Sequence, residues 1–141
     1  MWNPRRFLRN LFAYSFVMVL LAGFLHALLG SLSTGFALMF APVALASLQE
    51  GQTFAAETRL DPGNQQIWQI SVSMAEVYLT FLVIVSVLVA LGVQEFSMTL
   101  AHADIVLIFL VYGVFTLLSL VVIRCTYAWG VQLGLKHENN H

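Results

Sequence analysis

The chain has 141 residues, of which 60% are hydrophobic and 9% charged, and its formal net charge is -1. A soluble domain is about 25% charged, and a chain this apolar lacks the polar surface to cover a water-soluble globule. The composition therefore excludes a soluble enzyme, a disordered chain and a nucleic-acid binder, and leaves a membrane protein with the lipid bilayer as its first partner.

The N-terminus places Arg5, Arg6 and Arg9 before an apolar run from Leu11 to Leu29. That run is longer than a signal-peptide core and no small-residue cleavage site follows it directly, so it reads as a retained transmembrane helix. Gly23 and Ala27 stand four apart on it, as Ala37 and Ala41 do on the next run, and this small-xxx-small spacing permits close helix packing. His26 lies in the outer part of the first helix and is a candidate ligand for a pigment or haem. A lone histidine more often serves as a hydrogen-bonded packing residue, and no cofactor is expected.

The second apolar run, Ser33 to Leu48, is short for a span and contains Pro42. Proline there frees a carbonyl near Leu38, which a neighbouring helix or a hydroxyl can satisfy. The tight connection around Gly30 to Ser33 makes the first two helices an antiparallel hairpin.

Residues 49–70 form the sizeable polar stretch and read as a cytoplasmic loop. The second helix is expected to run past the membrane surface to about Thr58. Asp61-Pro62 then looks like a helix start, with Asp at the N-cap and Pro at the first position. Within and around this stretch, Glu50-Gly51-Gln52, Phe54, Arg59, Pro62 and Trp68 follow the apolar run that holds Pro42. This string resembles a family of small, uncharacterised bacterial inner-membrane proteins with four predicted helices. The resemblance covers the central third of the chain and implies the four-helix architecture without implying a reaction.

The third run is Val72 to Val93 and the fourth Ala103 to Ile123. The expected fold is thus an all-α polytopic bundle with spans at 11–29, 33–48, 72–93 and 103–123, forming one membrane domain with no soluble domain. All six Lys and Arg residues fall on one side of this arrangement. The positive-inside rule then puts both termini and the middle loop in the cytoplasm, across a bacterial inner membrane. Trp2, Trp68, Trp129, Tyr78 and Tyr127 lie near that boundary and are candidates for its aromatic belt.

Glu76 stands about one turn inside the third span, where a charge is costly. Arg124 ends the fourth span at similar depth. The leading expectation is a structural Glu76–Arg124 ion pair. Snorkelling of both side chains to the surface, or a proton pathway through Glu76, are the other readings.

Three further patterns carry weaker chemistry. His26, Glu95, His102 and Asp104 share the outer side, without the local spacing of a metal site, and no metal is expected. The last five residues, His137-Glu138-Asn139-Asn140-His141, match H-E-x-x-H literally. In a zinc peptidase that spacing sits inside a stable helix, whereas here it lies on the final residues and contains Asn-Asn, so it reads as a solvated tail. Cys125 is the single cysteine and reads as a small packing residue.

No phosphate loop, G-x-S-x-G or C-x-x-C occurs. The chain is therefore expected to be non-enzymatic. It reads as an accessory or structural subunit of a larger membrane complex, or as a bundle that assembles with itself. The alternative is a small oligomeric transporter or channel module. Ser86, Thr80, Thr116 and Ser119 are the few polar groups near midplane, and each can bond to its own helix.

Overall fold

The computed structural model describes residues 2–29, 35–60, 62–92 and 104–138, with side chains 25, 26, 28, 29, 35–38, 137 and 138 outside the description. Among the described residues the fold is four α-helices: α1 Pro4–Leu29, α2 Gly35–Thr58, α3 Asn64–Gly92 and α4 Ile105–Glu138. Three of them are long and apolar enough to cross a bilayer: α1 over Pro4–Phe24, α3, and α4 over Ile105–Lys136. The chain is an all-α protein with membrane-spanning helices.

The helix ends follow from local chemistry. Asn3 Oδ1 accepts the backbone N–H of Arg5 at 3.1 Å and of Arg6 at 3.3 Å, and Pro4 opens the helix. This is an N-cap followed by proline at the first position. α2 ends at Thr58 because Arg59 takes the left-handed conformation, with φ 53°, and its N–H returns to the Ala55 carbonyl at 2.8 Å.

The polar stretch is mostly helix, and the second helix runs to Thr58 as its composition indicates. Glu50, Gly51, Gln52 and Phe54 lie on α2, and the connection spans only 59–63. α3 starts later than Asp61-Pro62 indicated. The Gly63 carbonyl accepts the N–H of Gln66 and Ile67, so the first helical residue is Asn64, while Asp61 lies outside the described residues.

α2 packs between α1 and α4, and α3 closes the arrangement against α4 and α1. The pairing of Phe40 with Phe115, Ser47 with Thr126, and Ala55 with Gly134 shows that α2 and α4 run parallel. α1 and α3 run the opposite way, since Arg6 meets Glu50 and Tyr112 on α4 meets Ser86.

The α2–α4 seam is built from small residues. Ser47, Gly51 and Ala55 recur every fourth residue on α2, and Thr126, Gly130 and Gly134 do so on α4. A Cβ at Gly130 would fall on the Leu48 carbonyl oxygen, and one at Gly51 on the Tyr127 carbonyl oxygen. At Gly134 it would come within 2.7 Å of Ala55 Cβ. The backbones are thus in direct contact, which is how helices associate where lipid is as apolar as the side chains. Ser47 and Thr126 join their hydroxyls across the seam.

The small residues picked from the sequence play a different part. Gly23 and Ala27 are exposed, and nothing lies within 4 Å of a Cβ built at Gly23. Ala41 is half-buried, and the Ala37 side chain lies outside the described residues. The close approach is made by α2 and α4 rather than by Gly23 and Ala27.

Among the described residues, burial is concentrated at the end of the bundle that carries Arg6 and Arg124. Phe7, Leu11, Phe54, Ala55, Met74, Tyr127 and Val131 form its core. Tyr78 and Tyr127 are about 1% exposed, so they belong to this core and not to an outward aromatic belt, whereas Trp68 and Trp129 do face outward. Toward the other end α4 is apolar all round, with Ile105, Val106, Phe109 and Leu110 exposed. A helix apolar on every face suits lipid.

Pro42 is buried inside α2, which continues through it. The Tyr78 hydroxyl on α3 donates to the Met39 carbonyl at 2.6 Å, one residue from the Leu38 carbonyl that proline was expected to free. A neighbouring helix thus supports the backbone beside the proline. Tyr78→Phe keeps the ring and deletes this bond, so it should lower stability by about 1 kcal/mol, read from thermal unfolding in detergent.

Candidate functional site

Three polar features stand out against the apolar background. The first joins α1 to α2. Phe7 and Leu11 turn one face of α1 into the core, and Arg6 lies beside that face, toward α2. On α2, Val43, Ala46, Ser47, Glu50 and Phe54 share one face at helical spacing, so Glu50 faces inward with them.

Arg6 grips Glu50 as a fork: Nε donates to Oε2 at 2.9 Å and Nη2 to Oε1 at 2.6 Å. Its Nη1 donates to Glu57, two turns further along α2. The Glu50 side chain is 2% exposed and that of Arg6 20%. A bidentate guanidinium–carboxylate pair has strong, directional geometry. The same guanidinium holds the Glu57 carboxyl below the usual carboxylate range. Beside this pair, the Tyr14 hydroxyl on α1 donates to Gln49 Oε1 at 2.7 Å. Tyr127 on α4 packs its ring 6.3 Å from that of Phe54, within electrostatic reach of Glu50. The buried Tyr127 hydroxyl has no hydrogen-bond partner among the described residues.

The second feature ties α4 to the first turn of α3. Arg124 Nη2 donates to Asn64 Oδ1 at 3.0 Å, and its guanidinium carbon lies 4.4 Å from the Trp68 ring centroid. The expected Glu76–Arg124 pair does not form. Arg124 is held by Asn64 and by the face of Trp68, a favourable cation–π arrangement.

Glu76 belongs to the third feature. It is exposed on the rim of a groove of about 320 Å³ between α1 and α3. Leu8 and Phe12 form one wall, and Val77, Phe81 and Ile84 the other. Phe12 and Phe81 meet edge to face across its floor, with centroids 4.9 Å apart.

The string from Glu50 to Trp68 is thus not one motif. Glu50 is the buried charge, Gly51 the helix crossing, Phe54 core and Pro62 a buried turn residue. Gln52 is exposed, with its backbone carbonyl against Gly134, and Trp68 carries Arg124.

The remaining candidates separate. Asp104 caps α4, its Oδ1 accepting the Val106 N–H at 3.0 Å. Glu95 and His102 lie outside the described residues, as does the His26 side chain. α4 continues through His137 to Glu138, while 139–141 lie outside the described residues. Cys125 is exposed. Among the described residues no three His, Cys, Asp or Glu side chains gather as a metal site.

Sequence reasoning missed Arg6 as the partner of Glu50. The signal was present: the 43, 46, 47, 50, 54 spacing puts Glu50 on the apolar face of α2, and a carboxylate there needs a cation at its own depth.

Three of the four polar residues named near midplane bond locally, while Ser86 accepts from the Tyr112 hydroxyl on α4. Thr80 Oγ1 donates to the Glu76 carbonyl, Thr116 to that of Tyr112 and Ser119 to that of Phe115. What the Arg6 and Arg124 features do chemically is lock helices together. Comparison of the chain with protein-family models, curated proteins and solved structures finds no match.

Proposed function

We propose that the chain is a non-catalytic membrane protein that binds other membrane helices, as an accessory or structural subunit of a larger complex or through assembly with itself. One observation carries this reading. Among the described residues one end of the bundle is packed and locked by Arg6–Glu50, while α1, α3 and α4 present long apolar faces on which Thr80 and Thr116 bond back onto their own helices and Tyr112 bonds Ser86. Such faces offer neither a polar path nor a reacting constellation, and they suit lipid or another helix.

In this reading the protein sits in a bacterial inner membrane with both termini and the locked end in the cytoplasm, where the six basic residues are expected to lie. The four-helix resemblance of the central third agrees with that setting, and no cofactor or metal is assigned.

Purification in a mild detergent, with mass spectrometry of the intact assembly, tests the proposal. The expected result is a defined assembly with another membrane protein or with further copies. A lone monomer would count against it. A second reading, a small oligomeric transport module, is favoured only by the exposed carboxylate of Glu76 on its groove. An ion flux in proteoliposomes that disappears in Glu76→Gln would support that reading instead.

A further inference from the structure

The groove between α1 and α3 has one charged lining residue, Glu76, and a second charge, Arg9, follows its lining residue Leu8 on α1. Glu76 stands on the α3 rim, level with Leu8 and Phe12 of α1. Arg9 follows Leu8 directly and is exposed on α1 at that same level. Among the described residues neither Arg9 nor Glu76 forms an ion pair. A carboxylate facing lipid is costly and normally pairs with a cation.

The rest of the surface around the groove is apolar. Beyond Arg9, α1 carries Phe12, Phe16 and Leu20, which are 55%, 66% and 57% exposed. On α3, Val83 and Val87 are 50% and 52% exposed beyond Glu76. This is a ridge of rings and a furrow side by side on one molecule.

We propose that the groove takes a second copy of this chain, with the copy's α1 seated against α1 and α3 and its Arg9 set on Glu76. The inference rests on the reading that the protein binds membrane helices, and names the partner. Two copies related by a two-fold axis along the bilayer normal keep every residue at its own depth. Arg9 and Glu76 share a depth, so each Arg9 meets the other copy's Glu76 and the symmetry makes the pair twice. The phenylalanine ridge supplies the van der Waals packing that drives association in lipid, and the two ion pairs fix its register. Another protein's basic helix, or a cationic lipid headgroup, would satisfy Glu76 but leave Arg9 unused.

Cross-linking in native membranes tests this. In a Cys125→Ser background, two differently tagged full-length chains are co-expressed, one carrying Arg9→Cys and the other Glu76→Cys. The second ion pair stays intact in such a mixed dimer. Mild oxidation is expected to give a mixed-tag disulfide dimer, roughly tenfold above a control that pairs Arg9→Cys with Leu117→Cys, which is exposed on α4 close to the depth of Glu76. Charge reversal gives an independent reading: Arg9→Glu should lower the dimer fraction in mild detergent by roughly tenfold, and Arg9→Glu with Glu76→Arg should restore it. Equal cross-linking in control and test pairs, or no restoration by the double reversal in well-expressed protein, would overturn the proposal. If the chain instead co-purifies with another protein through the groove, the second-copy inference fails while the helix-binding reading stands. A chain that is monomeric and alone defeats both.

Discussion

Arg6→Ala is expected to cost about 3–5 kcal/mol of stability, because it leaves the Glu50 carboxylate buried without its cation. The reverse change is milder. Glu50→Gln removes the buried charge itself, and the freed guanidinium is partly exposed and still reaches Glu57. That variant should lose about 1–3 kcal/mol, the cost of imperfectly satisfied hydrogen bonds. The order of the two effects is the test: equal losses in unfolding experiments in detergent would mean that Glu50 is hydrated rather than sequestered. Arg6→Lys should fall between, since an ammonium cannot form the fork with Glu50 while also reaching Glu57.

Gly130→Leu should separate α2 from α4. Even Gly130→Ala places its Cβ on the Leu48 carbonyl, where backbone and not a flexible side chain is in the way. Overpacking of this kind costs about 1–3 kcal/mol, against a helix-propensity gain of about 1 kcal/mol for alanine over glycine. The net change for alanine is therefore a loss, larger for leucine. Gly113→Ala is the matched control, since nothing lies within 4 Å of a Cβ at that position on the same helix. It should be neutral or stabilising. A Gly130→Ala protein as stable as Gly113→Ala in the same detergent would mean that the two backbones do not touch.

The number of helices, their alternating direction and the end of α2 at Thr58 were legible in the sequence because each depends on local signals: apolar run length, short connections and helix-forming composition. The extension of α4 to Glu138 was not. Tyr127, Val131 and Gly134 continue the inward face of Ile123 beyond the run, but the charge of Arg124 reads as its end. Glu76 and Arg124 looked like partners because depth along the helix is readable, while rotation around it depends on neighbours. Asn64 and Trp68, both on the first turns of α3, hold Arg124, and among the described residues no carboxylate pairs with it. The Gly130-xxx-Gly134 spacing was as visible as that of Gly23 and Ala27. Only tertiary packing distinguishes the pair that meets a neighbour from the pair that meets none.

The parallel seam between α2 and α4 has a consequence for biogenesis. The surface of α2 around Gly51 is completed by Gly130 and Gly134, about 80 residues later in the chain. The first hairpin must therefore wait in the bilayer with its tightest contact unmade until the last turns of α4 emerge from the ribosome. Each helix can insert by itself, but the fold closes last at the end where Phe7, Glu50, Tyr127 and Val131 meet. A chain stopped near Cys125 would be inserted yet unfinished, its bare glycine face open to proteolytic surveillance.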